Sequence, residues 1–162
     1  MSKSITAGMC IGLGCVIFES CDNKILGAFL FSIGLLTICM CQLILFTGQV
    51  GSNNNFIFLL EAFSGNLIGI SIMSLLFRCF GDSIFMLSVG CGMLMQIAVV
   101  AYKKGLLWLT MLCVGAFILS GFKHCIAYIY NFQSLKVLLL CILGNTIGAK
   151  IFYYGGVSCE DR

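Results

Sequence analysis

The sequence predicts an all-α membrane protein of six transmembrane helices, arranged as two inverted three-helix repeats. Three observations predict it: a composition too apolar for a soluble domain, a series of uncharged stretches of spanning length, and a five-residue motif that occurs twice. Hydrophobic residues make up 60% of the chain and charged residues 9%, against roughly 25% charged in soluble domains. The mean hydropathy is +1.10. At about 20 residues per span, the 162 residues hold at most about six helices and leave nothing for a soluble domain. Residues 1–162 therefore read as a single transmembrane domain in the lipid bilayer.

The first span covers about 5–18, with Gly8, Gly12 and Gly14 along it, and ends at the polar cluster 19–24. The opening residues carry one lysine and no small-residue cleavage site, so this is not a cleavable signal. No charged residue occurs between 25 and 60, which reads as a second span over 25–46, a polar re-entrant or loop segment over 47–55, and a third span over 56–77. Residues 78–82 form a tight connection. The fourth span runs over 83–102 and is closed by Lys103 and Lys104. The fifth lies in the apolar run 105–132, the sixth covers 136–154, and 158–162 is a polar tail. Lys3, Lys103, Lys104 and Arg162 fall on one side, and Lys24, Arg78 and Lys136 on the other. The excess favours cytoplasmic N- and C-termini in a multi-pass protein of the inner (plasma) membrane.

The repeated motif is Gly65-Asn66-Leu67-Ile68-Gly69 in the third span and Gly144-Asn145-Thr146-Ile147-Gly148 in the sixth. Glycines at this spacing let helix backbones approach closely, so Gly65, Asn66, Gly69, Gly144, Asn145 and Gly148 read as a helix-packing motif. It divides the chain into repeat 1, about 5–78, and repeat 2, about 83–157. Three spans per half is an odd number, so the halves must insert with opposite orientation. Proline is absent, so a helix break must come from glycine or polar residues. The second span is interrupted near Thr47 and Gly48, and the fifth over Gly121 to His124.

That second interruption carries the chemistry. Lys123 and His124 lie near the middle of an apolar run, where a charge costs about 2.5 to 3.5 kcal/mol and marks a bundle interior or a water-filled path. His124 is the only histidine, and imidazole is the side chain whose ordinary pKa, roughly 6.5, allows proton exchange near neutral pH. Broken helices leave backbone polar groups that protein or water must satisfy, and unpaired amides suit a small anion. Phe46 and Phe117 stand where they could narrow a path on either side of Thr47 and His124. Desolvating an anion costs far more than desolvating its neutral acid. The economical route is therefore to attract the anion, protonate it near a midplane histidine and let the acid pass. Lys123, if it faces the same path, supplies the attraction.

These segments resemble the formate/nitrite transporter family. Leu45-Phe46-Thr47-Gly48 resembles its Leu-Phe-Thr-Gly-Asn segment, and Gly121 to Tyr128 resembles its Gly-Phe-Glu-His-Ser-x-Ala-Asn segment. The two Gly-Asn-x-Ile-Gly copies resemble its third- and sixth-helix motifs. The resemblance implies an aquaporin-like protomer with broken second and fifth helices, a homopentamer with one pore per subunit, and passage of formate, nitrite, hydrosulfide or similar small anions with protons. It also implies that Thr47 and His124 are central pore residues, with Leu45, Phe46 and Phe117 at the constrictions. The chain departs from the family in Cys91-Gly92 where a Cys-Asn pair stands, in Lys123 for glutamate, in Tyr128 for asparagine, in the short 78–82 connection and in lacking an N-terminal cytoplasmic helix.

Two other readings are open: a non-conducting structural or regulatory membrane protein of the same fold, suggested by Gly92 and the short connection, and a cation transporter using Glu61. No nucleophile–base motif supports an enzyme. The eleven cysteines show no Cys-x-x-Cys and no Cys/His cluster, so they predict neither metal, cofactor nor disulfide framework. The dispersed net charge of +3 gives no reason to expect a nucleic-acid partner.

Overall fold

The computed structural model describes residues 1–159, and these contain eight helices and no strand. They are α1 (Ser2–Ser20), α2 (Lys24–Met40), α3 (Phe46–Gln49), α4 (Phe56–Phe80), α5 (Ile84–Lys103), α6 (Leu107–Leu119), α7 (Cys125–Tyr130) and α8 (Leu135–Tyr154). Arg162, counted above among the basic residues, lies outside the described residues.

Helices α1, α4, α5 and α8 are long and apolar enough to cross a membrane, whereas α2 and α6 are apolar but shorter. The 13 residues of α6 rise only about 20 Å, short of a hydrocarbon core of about 30 Å. The six expected spans thus resolve into four helices of spanning length and two that stop early. Each of those two breaks and resumes as a short helix, α3 or α7.

Local chemistry sets the boundaries. The Asn23 side chain accepts from the Ile25 and Leu26 amides at 3.0 and 3.1 Å and starts α2. Asn55 accepts from Phe58 N–H at 3.1 Å and starts α4, and Ser83 accepts from Met86 N–H at 3.2 Å and starts α5. Each satisfies an amide that has no partner within its helix. The asparagine-rich end of 47–55 is therefore a cap. Helix α4 continues through Arg78 to Phe80, so the connection begins later than the charge pattern predicts.

Helix α1 packs on α4 and α2, and α5 packs on α8 and α6. The two groups meet where α6 touches α2 and α1, and where α4 touches α5. Leu13, Ile17, Ile33, Leu94, Ile97 and Leu109 are buried between them. The tight pairings are made by glycine. A methyl at Gly8 would run into the Asn66 backbone carbonyl, and one at Gly69 into that of Ile5. In the other pair, Gly92 meets the Asn145 carbonyl and Gly148 that of Val89 in the same way. Gly65 and Gly144 approach the β-carbons of Ser4 and Ser88. Backbones this close gain dispersion contacts that larger side chains would hold apart. The outward faces of α4 and α8 expose Leu60, Leu67, Leu75, Leu139 and Leu143, a greasy surface of the kind a bilayer covers.

Candidate functional site

The two helix breaks share one design. Helix α2 ends with Cys41 N–H donating to Thr37 O and Leu43 N–H to Ile38 O, at 2.9 and 3.0 Å, across Gln42 in the left-handed region (φ 51°). Helix α6 ends with Ser120 N–H donating to Ala116 O and Phe122 N–H to Phe117 O, at 2.9 and 3.0 Å, across Gly121 (φ 66°). This turn satisfies the last carbonyls of a helix and sends the chain off its axis.

One asparagine then holds each extended segment. Asn66 Oδ1 accepts from Phe46 N–H at 2.7 Å, and its Nδ2 donates to Ile44 O at 2.9 Å and to Ser4 O at 2.8 Å. Asn145 Oδ1 accepts from Cys125 N–H at 2.8 Å, and its Nδ2 donates to Lys123 O at 2.8 Å and Ser88 O at 2.9 Å. Each carboxamide pairs with the broken segment as a peptide group would, and spends its second N–H on the first helix of its own half. The pinned amide and carbonyl lie 20 and 22 positions before the asparagine in both halves. Asn66 and Asn145, read from sequence as packing residues, are thus the pins of the two breaks. Ser4 and Ser88, whose carbonyls complete the pins, carry no sequence signal because the bonds are to backbone.

The residue between the pinned groups is Leu45 in one break and His124 in the other. Thr47 is therefore not the counterpart of His124: it lies within α3 and is exposed. His124 is half-buried at the N-cap of α7. Its Nδ1 accepts from the Ile126 and Ala127 amides at 3.2 and 3.4 Å, which puts the ring proton on Nε2. The imidazole lies 6.1 Å, centroid to centroid, from the half-buried ring of Phe117. Phe46 instead packs edge-on to Phe63 at 5.4 Å. Lys123 donates its N–H to Leu87 O at 3.2 Å and exposes its side chain.

Two cavities open near opposite ends of α1. One, about 450 Å³, is lined by Glu19, Ser74, Arg78, Asp82, Ser120 and Phe122 among others. The second, about 610 Å³, is lined by residues that include Lys3, Gln42, Lys104 and Tyr153, with Lys104 Nζ donating to Met40 O at 2.8 Å. Thr47, Lys123, His124 and Phe117 line neither cavity. The first brings in Ser120, Phe122 and Arg78, which sequence reasoning did not select as a group.

Among the described residues no cluster of three or more His, Cys, Asp or Glu side chains could hold a metal ion. Gly92, where the resembled family carries asparagine, has a packing reason here: its α-carbon faces the Asn145 backbone carbonyl with no room for a side chain. No family model matches the chain, and comparison with curated proteins and with solved structures gave no match.

Proposed function

We propose that this protein is a membrane channel for small monovalent weak-acid anions such as formate, nitrite or hydrosulfide, which pass with protonation near His124. In this reading the two pinned halves are inverted repeats of an aquaporin-like six-helix protomer in the plasma membrane, with both termini cytoplasmic and a homo-oligomer, a pentamer by resemblance, as the working form. One observation carries it: an imidazole sits at a helix break that the chain builds twice and pins each time with an asparagine. A break at membrane depth is stable only where protein or water satisfies the freed backbone, and broken helices in opposed repeats are how transport sites are commonly made. The peptide carbonyls of Ile44 and Lys123 turn to the asparagines, so the trans amides of Leu45 and His124 turn away from them. Gly92 has a packing reason of its own where α5 meets α8.

The test is uptake of formate, nitrite and hydrosulfide into proteoliposomes across a pH series. Uptake should rise as pH falls, because the neutral acid becomes more abundant, and His124→Ala should alter that dependence. Folded protein that passes none of the three would end the reading.

A further inference from the structure

Phe122 lines the 450 Å³ cavity. It is 5% exposed, and its ring is seated against Gly90, where a methyl would come within 2.7 Å of ring carbons. The ring of Phe77 from α4 lies 6.1 Å away and lines the same cavity, so each half of the chain brings one ring to it. Phe122 follows left-handed Gly121 in a segment outside any helix. Its N–H donates to Phe117 O at 3.0 Å, so the backbone is held there and any movement of the ring is a side-chain rotation; Phe117 itself does not line the cavity.

Beside it is Ser120, also a cavity-lining residue and 7% exposed. Among the described residues, its hydroxyl is the one buried side-chain polar group without a hydrogen-bond partner. Native structures rarely keep such a group, and a hydroxyl can both donate to and accept from a small oxygen-bearing solute. Glu19, Asp82 and Arg78 line the same cavity. Two carboxylates against one guanidinium give an anion no net attraction there, so the species suited to this side is the neutral conjugate acid.

We propose that Phe122 is the gate of this cavity, seated on Gly90, and that the Ser120 hydroxyl is the hydrogen-bonding site for a small neutral weak acid at that gate. The inference rests on the channel reading and adds to it the residue that opens and the group that receives the solute. Apolar rings that close a path against water and ions are a known form of gate.

The experiment measures formate and nitrite uptake into proteoliposomes by the unaltered protein and by Phe122→Ala, Phe122→Leu, Phe117→Ala and Ser120→Ala. Truncation to alanine empties a core position, so the leucine variant is the safeguard if Phe122→Ala does not fold. The gate predicts severalfold faster uptake for whichever of these two variants is folded, a smaller change for Phe117→Ala, and slower uptake for Ser120→Ala. If the unaltered protein conducts and folded Phe122 variants do so at the same rate, the gate is overturned and the channel reading survives. If conduction appears only when Phe122 is shortened, the gate stands and the proposed function of the unaltered protein falls. If neither the unaltered protein nor a folded Phe122 variant conducts, both proposals fall. Unchanged uptake by Ser120→Ala removes the hydroxyl from the site.

Discussion

Gly92 and Asn145 meet backbone to backbone, the bare α-carbon of one against the carbonyl of the other, just as Gly8 meets Asn66 in the first half. A single methyl at 92 must push α5 and α8 apart. Gly92→Ala should destabilise the protein by about 1 to 3 kcal/mol, and Gly92→Asn by more. Gly115→Ala, with nothing within 4 Å, should leave it unchanged or slightly steadier. Thermal unfolding of the detergent-solubilised protein checks the ordering, and equal behaviour of Gly92→Ala and Gly115→Ala would refute it.

The pins separate by chemistry. Asn145→Asp is nearly isosteric, but a carboxylate can only accept, so it keeps Cys125 N–H and loses the Lys123 and Ser88 carbonyls. Leaving polar groups unpaired in apolar surroundings costs about 1 to 3 kcal/mol each. Asn145→Asp and Asn145→Leu should both lower the unfolding temperature markedly, and Asn66→Asp should behave alike. A harmless aspartate at either position would show that the carboxamide donors do not matter.

His124 has a structural duty that can be split from proton handling. His124→Asn retains an N-cap acceptor for the Ile126 and Ala127 amides, whereas His124→Ala loses it at a cost of about 0.5 to 2 kcal/mol. A doubly protonated imidazole has no acceptor, so capping and positive charge exclude each other. The asparagine variant should unfold close to the unaltered protein yet show only the pH dependence that the solute itself imposes on uptake. Unchanged pH dependence in His124→Asn removes the imidazole from the proposed mechanism.

Gly121 offers a purely conformational case. With φ 66° and nothing within 4 Å of an added methyl, Gly121→Ala should cost about 1 to 2 kcal/mol from backbone strain alone. Unfolding measurements should place it below Gly115→Ala.

The long helices were legible because uncharged stretches of spanning length leave few alternatives: α4 starts at Phe56 and α8 ends at Tyr154, as the apolar pattern predicts. The repeat was also visible, since Gly-Asn-x-Ile-Gly needs both glycines to face a neighbouring helix. The role of its asparagine was not, because its partners are backbone groups and any residue supplies those. For the same reason the sequence singles out Thr47, a hydroxyl near a break, although the position equivalent to His124 is apolar Leu45. The early end of α2 at Met40 was hidden because Gln42 takes the left-handed turn that glycine announces at 121.

The asparagine pins also dictate an order of assembly. As the chain is synthesised, the amide of Phe46 and the carbonyl of Ile44 emerge 20 and 22 residues before the side chain that satisfies them. Until α4 arrives, the segment after α2 has no internal partner for those groups and is poorly suited to lipid. Each half therefore satisfies its broken segment only once its own last long helix, α4 or α8, is in place. Neither half needs the other for this, since each carboxamide bonds only within its own half.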